Sequence, residues 1–178
     1  MHPNLRLTTF LMLSISIIAT GPAHASDDAR TQEPAEIERI RDLLHRYAFF
    51  IDDGRGDELE ELFAEDATFN VLGTRLRGRK AIRKEFIAPP GRLRKHLPFP
   101  AVIEIHSATE ARAWSDFIMV RLPDPDRPGL GEVYQVGRYY DRLIKQADDR
   151  WRFAVRNVFV LGMENTAEFP PPPGRHRE

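Results

Sequence analysis

The stretch YAFFIDDGRGDELEELFAEDATF, Tyr47 to Phe69, decides how this chain is read. An apolar helical stripe runs into two adjacent carboxylates, Asp52 and Asp53, and stops at Gly54 and Gly56. Upstream, Ile37, Ile40, Leu44, Tyr47, Ala48 and Ile51 recur at steps of three and four. That spacing predicts one amphipathic helix of about five turns, beginning at Pro34, a residue suited to a first helical turn. On a helical wheel Asp52 falls beside Ala48 at the edge of the buried stripe, and Asp53 turns farther away. Asp52 is therefore the one of the two placed to face inward, as a C-terminal helix turn or as a worker in a pocket, and Asp53 is the solvated helix stop. Asp57 is placed to cap a second short helix, ELEELFAE, with Leu59, Leu62 and Phe63 inward.

Beyond this stretch the hydrophobic period changes from helical to alternating. ATFNVL and TRLRG read as a small hairpin around Gly73. GRKAIRKEFI, Gly78 to Ile87, reads as a third short helix, broken by Pro89-Pro90-Gly91. Long strands follow. HLPFPAVIEIH reads as one strand ending at His106-Ser107, and TEARAWSDFIMVRL returns to the turn-forming loop PDPDRPG. LGEVYQVGRYYDRLIKQ goes out, turns at Ala147-Asp148-Asp149, and RWRFAVRNVFVLG comes back. Helices first and then an antiparallel meander make the fold class α+β. Such strands, packed on helices at one face, curve into a half-cone whose open end can hold a pocket. Along TEARAWSDFIMVRL, Ala111, Ala113, Ser115, Phe117 and Met119 share one side, and Trp114, Ile118 and Val120 share the other. Both sides want cover. The helices supply one, and a second copy of the chain is expected to supply the other, as a homodimer.

Composition bounds the function classes. The chain has 178 residues, 42% hydrophobic and 30% charged, with a formal net charge of -1. That is enough for one domain with a real core, and it gives no bulk attraction to nucleic acid or membrane. Residues 1–25 read as a secretory signal: Arg6, then the apolar run Phe10 to Ala19, then Ala23-His24-Ala25 as the cleavage site. The run is too short for a bilayer, which needs about 20 residues, so no stable membrane anchor is expected. A periplasmic or secreted location follows. Residues 26–33 read as a flexible leader, 34–162 as the domain, and 163–178, with its four consecutive prolines, as a disordered tail. The absence of cysteine excludes disulfides, thiolate nucleophiles and cysteine-ligated metal.

The order of the pieces carries a resemblance. RYAFFIDDGRGDELEELFAEDATF, then RGRKAI, then a lone KH, then GRYYDRLIKQADDRWRFAVR, resembles the SnoaL-like branch of the nuclear transport factor 2-like superfamily across residues 34–161. The resemblance implies a cone-shaped α+β barrel, N-terminal helices on a strongly curved, mostly antiparallel mixed sheet, often dimeric. Relatives include polyketide cyclases, ketosteroid isomerases, scytalone dehydratase and limonene epoxide hydrolases, and others have no known catalysis, so fold alone does not fix function. In dehydratase-like members an aspartate at the end of the first helix faces a histidine at the start of the first long strand. The resemblance places these at Asp52 and His96. Scytalone dehydratase has a second pocket histidine on the next strand, where this chain reads ARAWSDFIMV; Ser115 or Asp116 stands there instead. The asparagine that many relatives carry just after the histidine is replaced by LPFPA.

The implied function is a cofactor-free lyase or isomerase that moves a proton on a small hydrophobic, oxygenated molecule. Asp52 and His96 would be catalytic, with Tyr47, Phe69, Phe117 and Tyr134 forming the substrate-binding wall. The alternative is a noncatalytic ligand-binding or dimerisation module on the same cone. No cofactor motif and no three- or four-ligand metal spacing is seen. His45, on nearly the same helical side as Asp52, is a rival partner, whereas His106 sits at a turn. Residues 75–95 hold nine Lys or Arg against the single acid Glu85. This reads either as a mouth for an anionic ligand or as a solvated face balanced by the acidic helices. Asp141 and Arg156 are expected to pair across the last hairpin, and Trp151 to pack the core.

Overall fold

The computed structural model describes residues 24–86, 94–123, 126 and 129–163. The expected signal over 1–25 and the expected tail over 163–178 lie outside these apart from His24, Ala25 and Met163. The Pro89-Pro90-Gly91 breaker lies outside them too. Three helices come first, α1 (His24–Asp52), α2 (Gly56–Glu61) and, after a hairpin, α3 (Arg79–Phe86). The strands are β1 (Phe63–Val71), β2 (Thr74–Arg77), β3 (Arg94–Pro98), β4 (Val102–Ser107), β5 (Glu110–Arg121), β6 (Glu132–Lys145) and β7 (Trp151–Val160).

α1 starts earlier than its apolar stripe predicted, at His24, and Pro34 sits inside it rather than in its first turn. A proline forfeits one backbone bond there, but the turns on either side carry the helix past it. The C-terminus is built by Gly54, whose φ of 69° places it in the left-handed region. The Arg55 N–H donates to the Phe50 carbonyl at 2.9 Å, the six-to-one bond of a Schellman motif. This fixes Asp52 as the last helical residue. α2 is shorter than expected. Its cap position is Arg55, with no side-chain cap, and Asp57 lies in its first turn, where its charge suits the helix dipole. Phe63 and Ala64 already belong to β1.

The seven strands form one mixed sheet in the order β2-β1-β7-β6-β5-β3, with β4 also on β5. β1 and β7 are parallel and every other pair is antiparallel. The sheet is curled but not closed, so β2 at one end and β3 and β4 at the other remain edges. The single strand expected over 96–106 is instead two. Pro98 lies opposite Phe117 and Val102 opposite Trp114, so residues 99–101 on one side face 115–116 on the other. That is a one-residue bulge, and Pro100, which has no N–H to give a ladder, is where an edge strand tolerates it.

The core lies between α1 and the concave face. Ile40, Leu44, Tyr47 and Ile51 on α1 meet Phe63, Leu143 and Phe153 on the sheet, all buried. Each such side chain contributes about 1.5–3 kcal/mol by leaving water. On β5, Ala111, Ala113, Ser115, Phe117 and Met119 are all buried, as their alternation predicted. The convex face is partly covered: Trp114 is buried against Tyr140 at 5.3 Å between ring centres. Around Ile118, however, Leu97, Phe99, Val136 and Leu161 are exposed.

Candidate functional site

The two aspartates at the end of α1 meet consecutive residues of β3. Asp53 is exposed and pairs with Lys95 at 3.2 Å. Asp52 is turned inward, its side chain 2% exposed, and grips His96 twice. The backbone N–H of His96 donates to Oδ2 at 2.8 Å, and Nδ1 lies 2.5 Å from Oδ1. β3 is an edge strand, so alternate backbone donors have no ladder partner, and the carboxylate takes one of them. A carboxylate only accepts, so Nδ1 carries the proton, and in the neutral ring Nε2 keeps its lone pair.

His96 forms part of the wall of a cavity of about 310 Å³. This is at the small end for a ligand site. Tyr47, Phe69, Phe117 and Tyr134, the expected wall, all line it. Asp52 stands behind His96 rather than in the wall. Tyr139, Phe86, Met119 and Arg94 complete much of the lining, and none of them was singled out from sequence as a wall residue. The aromatic packing is dense. Phe117 stacks on Tyr139 at 4.4 Å, Phe86 lies 4.7 Å from Phe69, and Tyr47 meets the His96 ring edge-on at 6.5 Å.

Gly137 makes the Phe117 stack possible. A Cβ there would sit 2.0 Å from the Phe159 carbonyl oxygen and 2.6 Å from the Phe117 ring. Gly137 is the cross-strand partner of Phe117, so the missing side chain is the space the ring uses. A glycine within a strand is the sequence signal that could have revealed this close approach.

Behind the cavity, the Arg156 guanidinium is sandwiched by Tyr47 at 3.9 Å and Tyr139 at 3.8 Å, with Phe153 at 4.6 Å. Asp141 faces Arg156 across the β6–β7 ladder, as expected, with 3.7 Å between charged atoms. Burial pushes the Asp141 carboxyl up to about 7, although Arg156 opposes the shift. Burial likewise raises Tyr47 to about 12 and Tyr139 well above its ordinary value. Both phenols therefore stay protonated donors at neutral pH, and neither hydroxyl has a hydrogen-bond partner among the described residues.

The remaining candidates are placed elsewhere. His45 is exposed on α1, and His106 is exposed beside Glu104. Ser115 is buried on the inner face but does not line the cavity, and Asp116 points outward to a salt bridge with Arg138. Part of the basic stretch is balanced: Arg79 and Arg83 pair with Glu60, and Arg83 also with Asp57 at 2.6 Å. Trp151 is buried and donates to Glu36 at 2.6 Å. Among the described residues no group of three potential ligands could hold a metal ion.

The comparisons with known proteins agree with this architecture. No curated protein matches the chain. Among solved structures, an Asp-to-Asn variant of a protein of unknown function from Mycobacterium tuberculosis is 29% identical, covering 72% of this chain and 77% of that one, with a TM-score of 0.64. An NTF2-like protein with a cystatin-like fold from Novosphingobium aromaticivorans is 22% identical over 79% of this chain and 92% of its own, with a TM-score of 0.70. A candidate scytalone dehydratase from the same organism is 21% identical over 84% and 99%, with a TM-score of 0.64. At those identities the last two speak to fold alone. The profile of the SnoaL-like domain matches residues 32–157, and this chain belongs to that family.

Proposed function

We propose that this protein is a cofactor-free lyase or isomerase that moves a proton on a small, ring-bearing oxygenated molecule. The observation that carries the reading is the Asp52–His96 pair, bonded at 2.5 Å, with His96 set in the wall of an aromatic cavity and Asp52 behind it. His96 Nε2 takes a proton from a carbon next to a substrate carbonyl, and the electron pair moves onto the carbonyl oxygen. Asp52 holds the resulting imidazolium. The phenol of Tyr47 or Tyr139 donates to the developing oxyanion. His96 then returns the proton, to another carbon in an isomerisation, or to a departing hydroxyl, which leaves as water, in a dehydration.

The test uses 2-tetralone in deuterium oxide, with mass spectrometry following exchange at its α-carbons. The protein should accelerate exchange over buffer, and His96→Gln and Asp52→Asn should abolish the acceleration. Equal exchange by wild type and His96→Gln would remove His96 from the chemistry.

Two further properties belong to the same proposal. The exposed Leu97, Phe99, Val136 and Leu161 support a homodimer through the convex face. Light scattering should give twice the monomer mass, and Val136→Glu should restore the monomer. Export rests on the apolar run Phe10 to Ala19. Mass spectrometry of the mature protein should find Ser26 at its amino terminus, and an intact Met1 would contradict it.

A further inference from the structure

Arg94 and His96 stand two residues apart on β3, so both side chains project from one face, about 7 Å apart along the strand. Both line the cavity. Arg94 is half-buried, and its Nε is shut off from solvent with no hydrogen-bond partner. Among the described residues it makes no ion pair. Glu85, the acid that also lines the cavity, is exposed on α3 and does not reach it. Its neighbours differ: Lys95 is paired with Asp53, and Arg79 and Arg83 with the acids of α2. Arg94 is also near enough for its charge to act on the Tyr47 hydroxyl. Arg79 and Arg83 have an Nε without a hydrogen bond as well, so what sets Arg94 apart from them is its place in the cavity wall with no ion pair among the described residues.

From this we infer the substrate class of the site: a carboxylate carried on a flat apolar ring body, with Arg94 as the residue that selects the charge. The inference rests on the cavity being the ligand site proposed above. The two terminal nitrogens of a guanidinium form a fork that matches the two oxygens of a carboxylate, and among the described residues no acid occupies that fork on Arg94, the cation in the cavity wall. One cation suits a monoanion; a dianion would meet Glu85 at the opening without a second positive partner. The ring body packs against Phe69, Phe86 and Phe117, whose faces supply apolar area and stacking.

The experiment is a calorimetric titration of the full chain with 2-naphthoate and with 2-naphthamide, its neutral counterpart of the same shape. Wild type should bind naphthoate at least about tenfold more tightly, since charge-assisted bonds are roughly twice as strong as neutral ones. Arg94→Met should bring the two ligands within about twofold while keeping the amide affinity, which also shows that the variant is folded. Arg94→Lys should keep part of the preference. Equal binding of both ligands by wild type, a preference that survives in Arg94→Met, or binding of neither ligand would each overturn the inference. The proton-transfer reading fails separately. If His96→Gln exchanges 2-tetralone as well as wild type while naphthoate is still preferred, the base is wrong and the anion site stands.

Discussion

Asp52–His96 and Asp141–Arg156 are both buried acid–base pairs on the concave side of the sheet, and they are built on opposite terms. The first has its acid at a helix terminus and its base on an edge strand, in contact at 2.5 Å with a second bond to the backbone. Its histidine borders a cavity. The second lies inside the β6–β7 ladder with side chains 1% and 0% exposed, 3.7 Å apart, and neither Asp141 oxygen has a hydrogen bond among the described residues. Its cation is instead held by three aromatic faces. The difference teaches how to tell a working pair from a supporting one. In the pair proposed to work, the histidine borders space open to a ligand. The supporting pair borders none, and serves by holding Tyr47 and Tyr139 on either side of one guanidinium.

Removing the supporting cation should have the largest effect. Arg156→Ala leaves Asp141 buried without a partner and removes the stack beneath both tyrosines. It should lower stability by about 3–5 kcal/mol in urea denaturation. A loss below about 1 kcal/mol would mean the aromatic stack stands without its guanidinium.

Next comes the glycine that links the two regions through Phe117 and Tyr139. Gly137→Ala forces a Cβ to within 2.0 Å of a backbone oxygen unless the strands part. It should cost about 1–3 kcal/mol and weaken binding of naphthoate and naphthamide alike. Unchanged stability would show that the ladder yields there at little expense.

The pH dependence is a finer test of the contrast. Asp141 has a folded-state value of about 7, above the ordinary 3.8. The folded protein therefore binds a proton that the unfolded chain has released between those values. The stability this group contributes is fully present below about pH 4 and is lost as pH rises toward 7. Asp141→Asn should flatten that part of the stability–pH curve. Curves of equal slope for wild type and variant would show that Asp141 is ionised throughout.

Much of the fold was legible because it rests on period. The apolar stripe of α1, the alternation of β5 and the Gly73 hairpin each read directly, and the Asp141–Arg156 register followed from the length of the last hairpin. Asp52 and His96 came from a resemblance backed by a helical wheel. What the sequence hid depends on three dimensions. Nothing local marks Arg156 as the filling between Tyr47 and Tyr139, or Arg94 as the cation that lines the cavity. The β3–β4 break was signalled by Pro98 and Pro100 but was outweighed by the hydrophobic run around them. The start of α1 at His24 lies beyond the apolar stripe that announced the helix.

The central claim is that Asp52 sets the His96 tautomer so that Nε2 offers a lone pair to the cavity. A long-range proton–nitrogen NMR spectrum of the ¹⁵N-labelled protein near neutral pH measures this directly. The account predicts that His96 carries its proton on Nδ1, with a strongly downfield N–H signal from the 2.5 Å bond, and that Asp52→Ala loses that signal. A His96 protonated on Nε2, or a spectrum unchanged in Asp52→Ala, would contradict it.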